Sequence, residues 1–180
     1  MSCCHGSGPG YASPAEAIKS EREKTLLVTS PHVANGPDAI FSIDVDPNSP
    51  NFMKVLSRVD MPNINDEVHH TGWNSCSSCH GDSSYKRTHL IVPCLYSDRV
   101  YIVDARDAND IKLEKTIEAE ELHKHDVSFP HTSHCLADGN ILISTLGNNE
   151  GDALGNFLLL DGKNVQCEGS LDVRGRFGAV

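Results

Sequence analysis

The sequence predicts an all-β fold. Its apolar segments are short, recur roughly every 8–14 residues and are separated by turn-forming residues. Two connections, residues 137–140 and 161–164, contain the Asp-Gly pair typical of tight hairpins. An aspartate follows three of the predicted strands, as Asp44, Asp104 and Asp161, which hints at a repeated unit. The spacing alone is compatible with a sandwich, a barrel or a β-propeller.

A short helix is predicted before the strands. Ser13 and Glu16 form a capping box with Pro14 at the first helical position, and the helix is predicted to run through Glu23. The glycine-rich residues 1–12 before it are predicted to be flexible. Strands are predicted at residues 26–30, 39–45, 53–59, 89–96, 99–104, 112–117, 134–136, 141–146, 157–160 and 165–169.

The length and charge of the chain narrow the classes of function. Its 180 residues suggest one domain, and 25 acidic against 15 basic residues give a formal charge of −10. Such a chain is a poor partner for nucleic acid. It contains no apolar stretch of about 20 residues for a membrane span, and no apolar signal core at its start. We therefore expect a cytoplasmic protein, with the nucleus as a second compartment and no integral membrane association.

Histidine and cysteine are unusually abundant, with ten and seven residues respectively. The polar segment 62–85 holds three of the histidines, two of the cysteines and the only tryptophan. A loop of that length is usually functional or disordered, and this composition favours function. An odd number of cysteines without an export signal argues against a disulfide framework. Cys94 and Cys135 lie in apolar surroundings and are interpreted as small buried side chains.

The adjacent pair His69 and His70 is the first candidate metal site. Neighbouring side chains on a strand point to opposite faces, so both could bind one ion only if the backbone turns, as Gly72 would allow. Alternatively, one imidazole binds the metal and the other supports it. Two partly exposed loop histidines remain an equally simple interpretation.

A second pair, His131 and His134, can converge on an ion if the backbone is irregular after Pro130. Two such pairs would supply three or four imidazole nitrogens, which suit copper, zinc, iron or nickel. Polar residues at the start of a strand are the structural alternative. His123 and His125 lie in an acidic stretch, residues 118–126, which predicts a solvated loop.

Cys76 and Cys79 form a Cys-x-x-Cys motif followed by His80. The motif fits a reactive thiol pair near a metal, or half of a zinc site whose second half is missing from the sequence. It also matches a c-type haem attachment formally, but that chemistry belongs to exported chains. A structural pair of cysteines is the remaining interpretation.

Several of these motifs together resemble the selenium-binding protein family, which includes the methanethiol oxidases. The resemblance runs in order from about residue 8 to about residue 171. It is carried by residues 8–11, 44–47, 61–63, 69–74, 76–82 and 131–136, which include HHTGWN, CSSCHGD and HTSHCL. Members are much longer and look like closed β-propellers. The resemblance implies that residues 13–180 are the N-terminal part of a single β-propeller domain, an incomplete sector of a few blades, and therefore a fragment.

The resemblance also implies an activity. The family oxidises methanethiol with O2 and water to formaldehyde, hydrogen sulfide and hydrogen peroxide, with copper implicated. A thiol substrate binds a soft copper centre as thiolate, and copper can pass electrons to O2. The histidines carried over as ligands are His69, His70, His131 and His134. Neighbouring Asp66 and Glu67 would orient the imidazoles.

Selenium, held covalently or by thiols, is the other implied group. In vertebrate members the cysteine discussed for selenium lies in the segment that matches residues 49–54, where this chain has Phe52 and Met53 and no cysteine. Cys76 and Cys79 are then the candidates for thiol or selenium chemistry.

Two other functions compete with a copper-dependent thiol oxidase. The first is a non-catalytic selenium- or metal-binding protein in redox signalling or intracellular transport. The second is a plain interaction module whose histidines and cysteines are structural. The expected partners are a small-molecule thiol and O2, while nothing in the sequence indicates a protein partner.

Overall fold

The computed structural model describes residues 8–32 and 35–171, which form three antiparallel sheets, two short α-helices and one 3-10 turn (Ser77–Cys79). This architecture confirms the all-β prediction. The helices are α1 (Pro14–Lys19) and α2 (Ala119–His123). The strands are β1 (Thr25–Ser30), β2 (Pro37–Asp44), β3 (Val55–Ile64), β4 (Gly72–Trp73), β5 (His89–Pro93), β6 (Val100–Asp104), β7 (Lys112–Ile117), β8 (Ser128–Cys135), β9 (Ile141–Gly147), β10 (Phe157–Leu160) and β11 (Cys167–Leu171).

Each sheet is a meander in chain order. The first sheet is β1-β2-β3, the second is β4-β5-β6-β7 and the third is β8-β9-β10-β11. The first strands of the second and third sheets, β4 and β8, lie against each other. The segments that precede and follow these two strands are therefore brought together, although about 60 residues of chain separate them.

The three aspartates noted in the sequence occupy equivalent places in the three sheets. Asp44 ends β2, Asp104 ends β6 and Asp161 follows β10, and each of these strands is the last but one in its sheet. In each case the carboxylate accepts a hydrogen bond from the backbone N–H two residues later, at 2.9, 3.0 and 2.6 Å. The first sheet thus corresponds to the last three strands of the other two.

The second sheet is buried on both faces. Leu90 and Val92 of β5 belong to a core shared with Ile40 of β2, whereas Ile91 between them belongs to a core shared with Ile143 of β9. Alternation along the strand sends neighbouring side chains to these opposite cores. An almost continuous apolar run is therefore the pattern that a strand in this position requires.

The predicted helix ends early. It begins at Pro14 and is capped by Ser13, whose side chain accepts a hydrogen bond from the Glu16 N–H, but it ends at Lys19 and not at Glu23. None of its residues is buried, so no packing stabilises a longer helix. Of the segment predicted to be flexible, residues 1–7 lie outside the described ranges. Tyr11 in the described part donates its backbone N–H to Ser77 Oγ at 3.2 Å.

Two other predictions need correction. The acidic stretch 118–126 is not simply a loop, because it contains α2, and His123 Nε2 lies 2.8 Å from Asp98 Oδ2. The strand predicted from Met53 begins at Val55, since Met53 has a φ of 64° in the turn before it. Among the described residues, no helix is long and apolar enough to cross a membrane.

Candidate metal centre

Three of the four candidate histidines meet at one point between the second and third sheets. His69 and His70 precede β4, and His131 lies in β8. One ring nitrogen from each of the three lies within 4.8 Å of the others. The Nε2 atoms of His69 and His131 are 3.2 Å apart, and the ring centroids of His70 and His131 are 4.2 Å apart.

The backbone before the histidines explains why both members of the first pair reach this point. Asn65 and Glu67 have φ values of 62° and 55°, in the left-handed region that side chains rarely adopt. The chain therefore turns before His69, and not at Gly72 as the sequence suggested. Gly72 has a different role in the structure. A Cβ built on it would lie 2.4 Å from Ser133 Oγ in β8. Its missing side chain allows β4 and β8 to approach closely.

A β-bulge separates the second pair. Pro130 pairs with Thr145 and Ser133 pairs with Ile143, so three steps along β8 match two along β9. His131 lies within this bulge and reaches the cluster. His134 lies beyond it, is exposed, and is not part of the group of nitrogens within 4.8 Å. The structure therefore brings together three of the four ligands that the family resemblance implied.

The cluster fits a metal ion. Two imidazole nitrogens each about 2.0 Å from one ion lie roughly 2.9–3.3 Å apart at angles between 90° and tetrahedral, and the 3.2 Å between His69 and His131 falls in this range. Polar groups of neighbouring residues lie next to the opposite ring nitrogens. His131 Nδ1 lies 2.9 Å from Thr132 Oγ1, and His69 Nδ1 lies 3.3 Å from Glu67 Oε1. A set of three imidazoles suits copper or zinc.

His69 Nδ1 remains buried without a hydrogen bond among the described residues, because Glu67 is close to it but poorly aligned. A small rotation of Glu67 would give the carboxylate–histidine pairing that orients a metal ligand. Asp66, the other acid proposed for this role, points elsewhere. It is fully buried, accepts a hydrogen bond from Tyr101 Oη at 2.8 Å and lies 3.3 Å from Arg99 Nη1.

The pKa of His70 is lowered below its ordinary value of 6.5 by desolvation and by the neighbouring His131 and His69. The lowered pKa favours the neutral imidazole at physiological pH. The neutral imidazole is the form that binds a metal ion.

The cysteines are arranged differently from the sequence interpretation. Cys76 forms a disulfide with Cys135, with Cα atoms 6.3 Å apart, whereas Cys79 is a buried free thiol that donates to the Leu136 carbonyl at 3.3 Å. The contact between β4 and β8 places Cys76 beside Cys135, although 59 residues separate them in sequence. Cys135 is therefore not simply a buried apolar side chain, and the expected Cys76–Cys79 thiol pair is absent from this state.

A cleft of about 400 Å³ borders the cluster, and sequence reasoning missed it. It is lined by Pro31, His32, Asp38, Asn65, Glu67, His69 and Tyr96. These residues come from the end of β1, the start of β2, the turn before His69 and the connection after β5. No local spacing in the sequence brings these segments together, so only the sheet order reveals the cleft.

A second group of possible ligands, His89, Asp104 and Glu114, is better explained as an ion-pair network. Arg106 Nη2 lies 2.5 Å from Asp104 Oδ2 and 3.5 Å from Glu114 Oε2, so a guanidinium already supplies the positive charge. Hydrogen bonds from Arg106 lower the pKa of Asp104 to about 2. A metal ion would have to displace this bidentate pair.

Comparison with known proteins places the chain in a family. The family model described as 56kDa selenium binding protein (SBP56) matches residues 5–177. A methanethiol oxidase of Xenopus laevis is 46% identical over 97% of this chain and 38% of its own length. Selenium-binding protein 2 of Arabidopsis thaliana is 52% identical over 88% of this chain and 34% of its own length.

A solved structure gives the same result. The X-ray structure of a hypothetical selenium-binding protein from Sulfolobus tokodaii superposes with a TM-score of 0.84 at 39% identity. The match covers 91% of this chain and 37% of that one. The chain thus spans less than two fifths of the length of these relatives. With the family model matching nearly all of its residues, the chain belongs to the 56kDa selenium binding protein (SBP56) family.

Proposed function

We propose that this chain is the N-terminal sector of a methanethiol oxidase-like protein that binds copper through His69, His70 and His131. The convergence of these three imidazoles from two sheets is the observation that carries the proposal. Relatives named methanethiol oxidase, at 46% identity, support it. The reaction would convert methanethiol, O2 and water to formaldehyde, hydrogen sulfide and hydrogen peroxide.

Copper, when bound, would supply the redox chemistry between a thiol and O2. The residues of this chain would hold and orient it. A proton on His69 Nδ1, directed at Glu67, leaves the Nε2 lone pair free for the metal. Thr132 Oγ1 would fix the ring of His131 in the same way. The adjoining cleft offers a small thiol a place next to His69.

We further propose that the three sheets are blades of a β-propeller and that residues 13–180 are part of this single domain. The equivalent aspartates and the repeated sheet order support this arrangement. In such a domain β4 and β8 would be the innermost strands of their blades. The metal centre would then lie near the central axis. Later blades could supply further ligands there, including one that binds a metal together with His134.

A non-catalytic selenium- or metal-binding role is the second candidate. Relatives named selenium-binding proteins, 52% and 47% identical, favour it. Cys79 is the free thiol of the Cys-x-x-Cys motif that could take selenium, while Cys76 would first require reduction of its disulfide. Sulfide and peroxide release from methanethiol by a full-length version would separate oxidase from carrier. For these 180 residues alone we expect poor turnover.

Copper binding tests the site directly. The affinity of the purified chain is measured by competition with a chromophoric chelator, for the wild type and for His131→Ala and His134→Ala. We expect His131→Ala to lower affinity by at least about 100-fold, because losing a ligand should cost more than the roughly 10- to 100-fold that follows loss of a group orienting a ligand. His134→Ala serves as the matched control from the same strand and should change affinity less than about twofold. Equal losses in both variants would make His134 a ligand as well and contradict the three-histidine set, and no loss in His131→Ala would remove His131 from it.

A further inference from the structure

Asp38 is a buried carboxylate that links two separate segments of backbone. It lies near the start of β2 and is 3% exposed. One of its oxygens accepts a hydrogen bond from the backbone N–H of His32 at 2.7 Å, and the other accepts one from the backbone N–H of Val68 at 2.6 Å. Both oxygens are therefore used to fix main chain.

The second of these hydrogen bonds acts on the peptide that leads directly into His69. Val68 is fully buried, so its N–H would be left without a partner if Asp38 were removed. On the other side of this peptide, the carbonyl of Glu67 accepts a hydrogen bond from the Leu95 N–H at 3.3 Å. The chain entering His69 is thus held from the first sheet by Asp38 and from the second sheet by Leu95.

This restraint matters because the backbone held there is strained. Glu67 has a φ of 55°, a strained conformation for a non-glycine residue that persists only where surrounding contacts enforce it. Without the Asp38 bond, the turn could relax toward ordinary backbone angles. Relaxation would move His69 away from His131, whose Nε2 now lies 3.2 Å from that of His69.

We propose that Asp38 is a positioning residue of the metal centre, one that sets the place of His69 through the Val68 peptide. The inference rests on the proposed copper site. It assigns a role to a residue in β2, a strand that contributes no ligand. The hydrogen bond from Val68 to Asp38 also connects the first sheet to the histidine cluster between the second and third sheets.

The test compares two buried carboxylates of the same strand. Asp38→Asn keeps one acceptor oxygen and places an NH2 group against the second N–H. The control is Asp44→Asn, because Asp44 is also buried but, among the described residues, its carboxylate accepts hydrogen bonds only within its own turn, from the Asp46 N–H and from Ser49 Oγ. Folding is checked by circular dichroism, copper affinity by chelator competition and ligand geometry by electron paramagnetic resonance of the Cu(II)-loaded chain.

We expect Asp38→Asn to weaken copper binding about 10- to 100-fold, the usual cost of losing a group that orients a ligand, and to change the Cu(II) hyperfine splitting. Asp44→Asn should keep affinity within about twofold and a wild-type spectrum. Asp38→Glu, which retains both oxygens on a longer side chain, should give an intermediate affinity, and it replaces Asp38→Asn if that variant does not fold.

Metal-free protein supplies an independent readout. In apo Asp38→Asn, amide exchange at Val68 should accelerate at least about tenfold and the ring signals of His69 should shift, because the peptide is released. A folded variant with wild-type exchange, affinity and spectrum would overturn the inference, as would equal effects in Asp44→Asn. If the wild-type chain binds no copper, the proposed function fails, and Val68 exchange and His69 signals alone decide whether Asp38 fixes this peptide.

Discussion

Gly72 in β4 lies against Ser133 in β8 with no room for a side chain, since a Cβ on Gly72 would fall 2.4 Å from Ser133 Oγ. The two residues are close in sequence to His70 and His131, so this contact limits the distance between the two halves of the histidine cluster. The approach of the strands and the convergence of the imidazoles therefore depend on the same glycine.

Gly72→Ala should disturb both stability and the site. We expect the free energy of unfolding to fall by about 1–3 kcal/mol through overpacking, and copper affinity to fall about tenfold because β4 and β8 move apart. Gly169→Ala is the control, since a Cβ at this strand position meets no atom within 4 Å. Urea unfolding and chelator competition measure the two effects. Equal losses of stability and of copper affinity in the two variants would contradict the steric argument.

Acid should weaken both the apo fold and metal binding through His70. The pKa of His70 in the folded chain lies below its ordinary value of 6.5, so the unfolded state takes up the proton first as pH falls. The contribution of His70 to stability is complete above about pH 6.5 and is lost progressively below it. His70→Gln should flatten this part of the stability–pH curve, measured by urea unfolding between about pH 7 and 5. An unchanged slope in the variant would place the titrating group elsewhere.

Reduction of the Cys76–Cys135 disulfide should destabilise the chain. The bond closes a loop with a sequence separation of 59 residues, and its loss should cost about 2–4 kcal/mol, chiefly by freeing the unfolded state. Dithiothreitol should lower the free energy of unfolding of the wild type but not of Cys76→Ser. Cys167→Ser changes a free cysteine and should keep the full response to reductant. A wild type insensitive to reductant would show that the bond contributes little.

Tyr101→Phe should lower the stability of the fold, because it removes a hydrogen bond to the buried carboxylate of Asp66. The Tyr101 hydroxyl donates to Asp66 Oδ2 at 2.8 Å and accepts from Asn63 Nδ2 at 2.9 Å, so its removal should cost about 1–3 kcal/mol. Tyr96→Phe is the control at an exposed position. Burial raises the pKa of Tyr101 well above its ordinary value of 10, so the hydroxyl is protonated and can donate at neutral pH. Thermal unfolding of both variants measures the difference.

Local pattern predicted most of the strands because each is short and bounded by turn residues. β7 (Lys112–Ile117) and β10 (Phe157–Leu160) have the predicted bounds. The errors occurred where tertiary contacts decide the boundary. α1 ends early because none of its residues is buried against the sheets, and β8 begins well before His134 because its first residues pair with β9.

The histidine cluster was partly predictable because both pairs are visible in the sequence. His134 could not be separated from His131 without knowledge of the bulge that lies between Pro130 and Ser133. The contacts of Cys135 and Asp38 could not be predicted from the sequence. Their partners lie 59 and 30 residues away, and only sheet order brings them together.

The correspondence among the sheets has a consequence for handling the isolated chain. Among the described strands, β1 pairs only with β2, whereas its counterparts β5 and β9 are flanked on both sides. An open strand edge is a template for strand addition between molecules and therefore for aggregation. The charged residues 21–24 stand directly before this edge, where such residues commonly act as gatekeepers. These charges would then protect the open edge of β1 from strand addition, as a neighbouring strand protects β5 and β9 in the other two sheets.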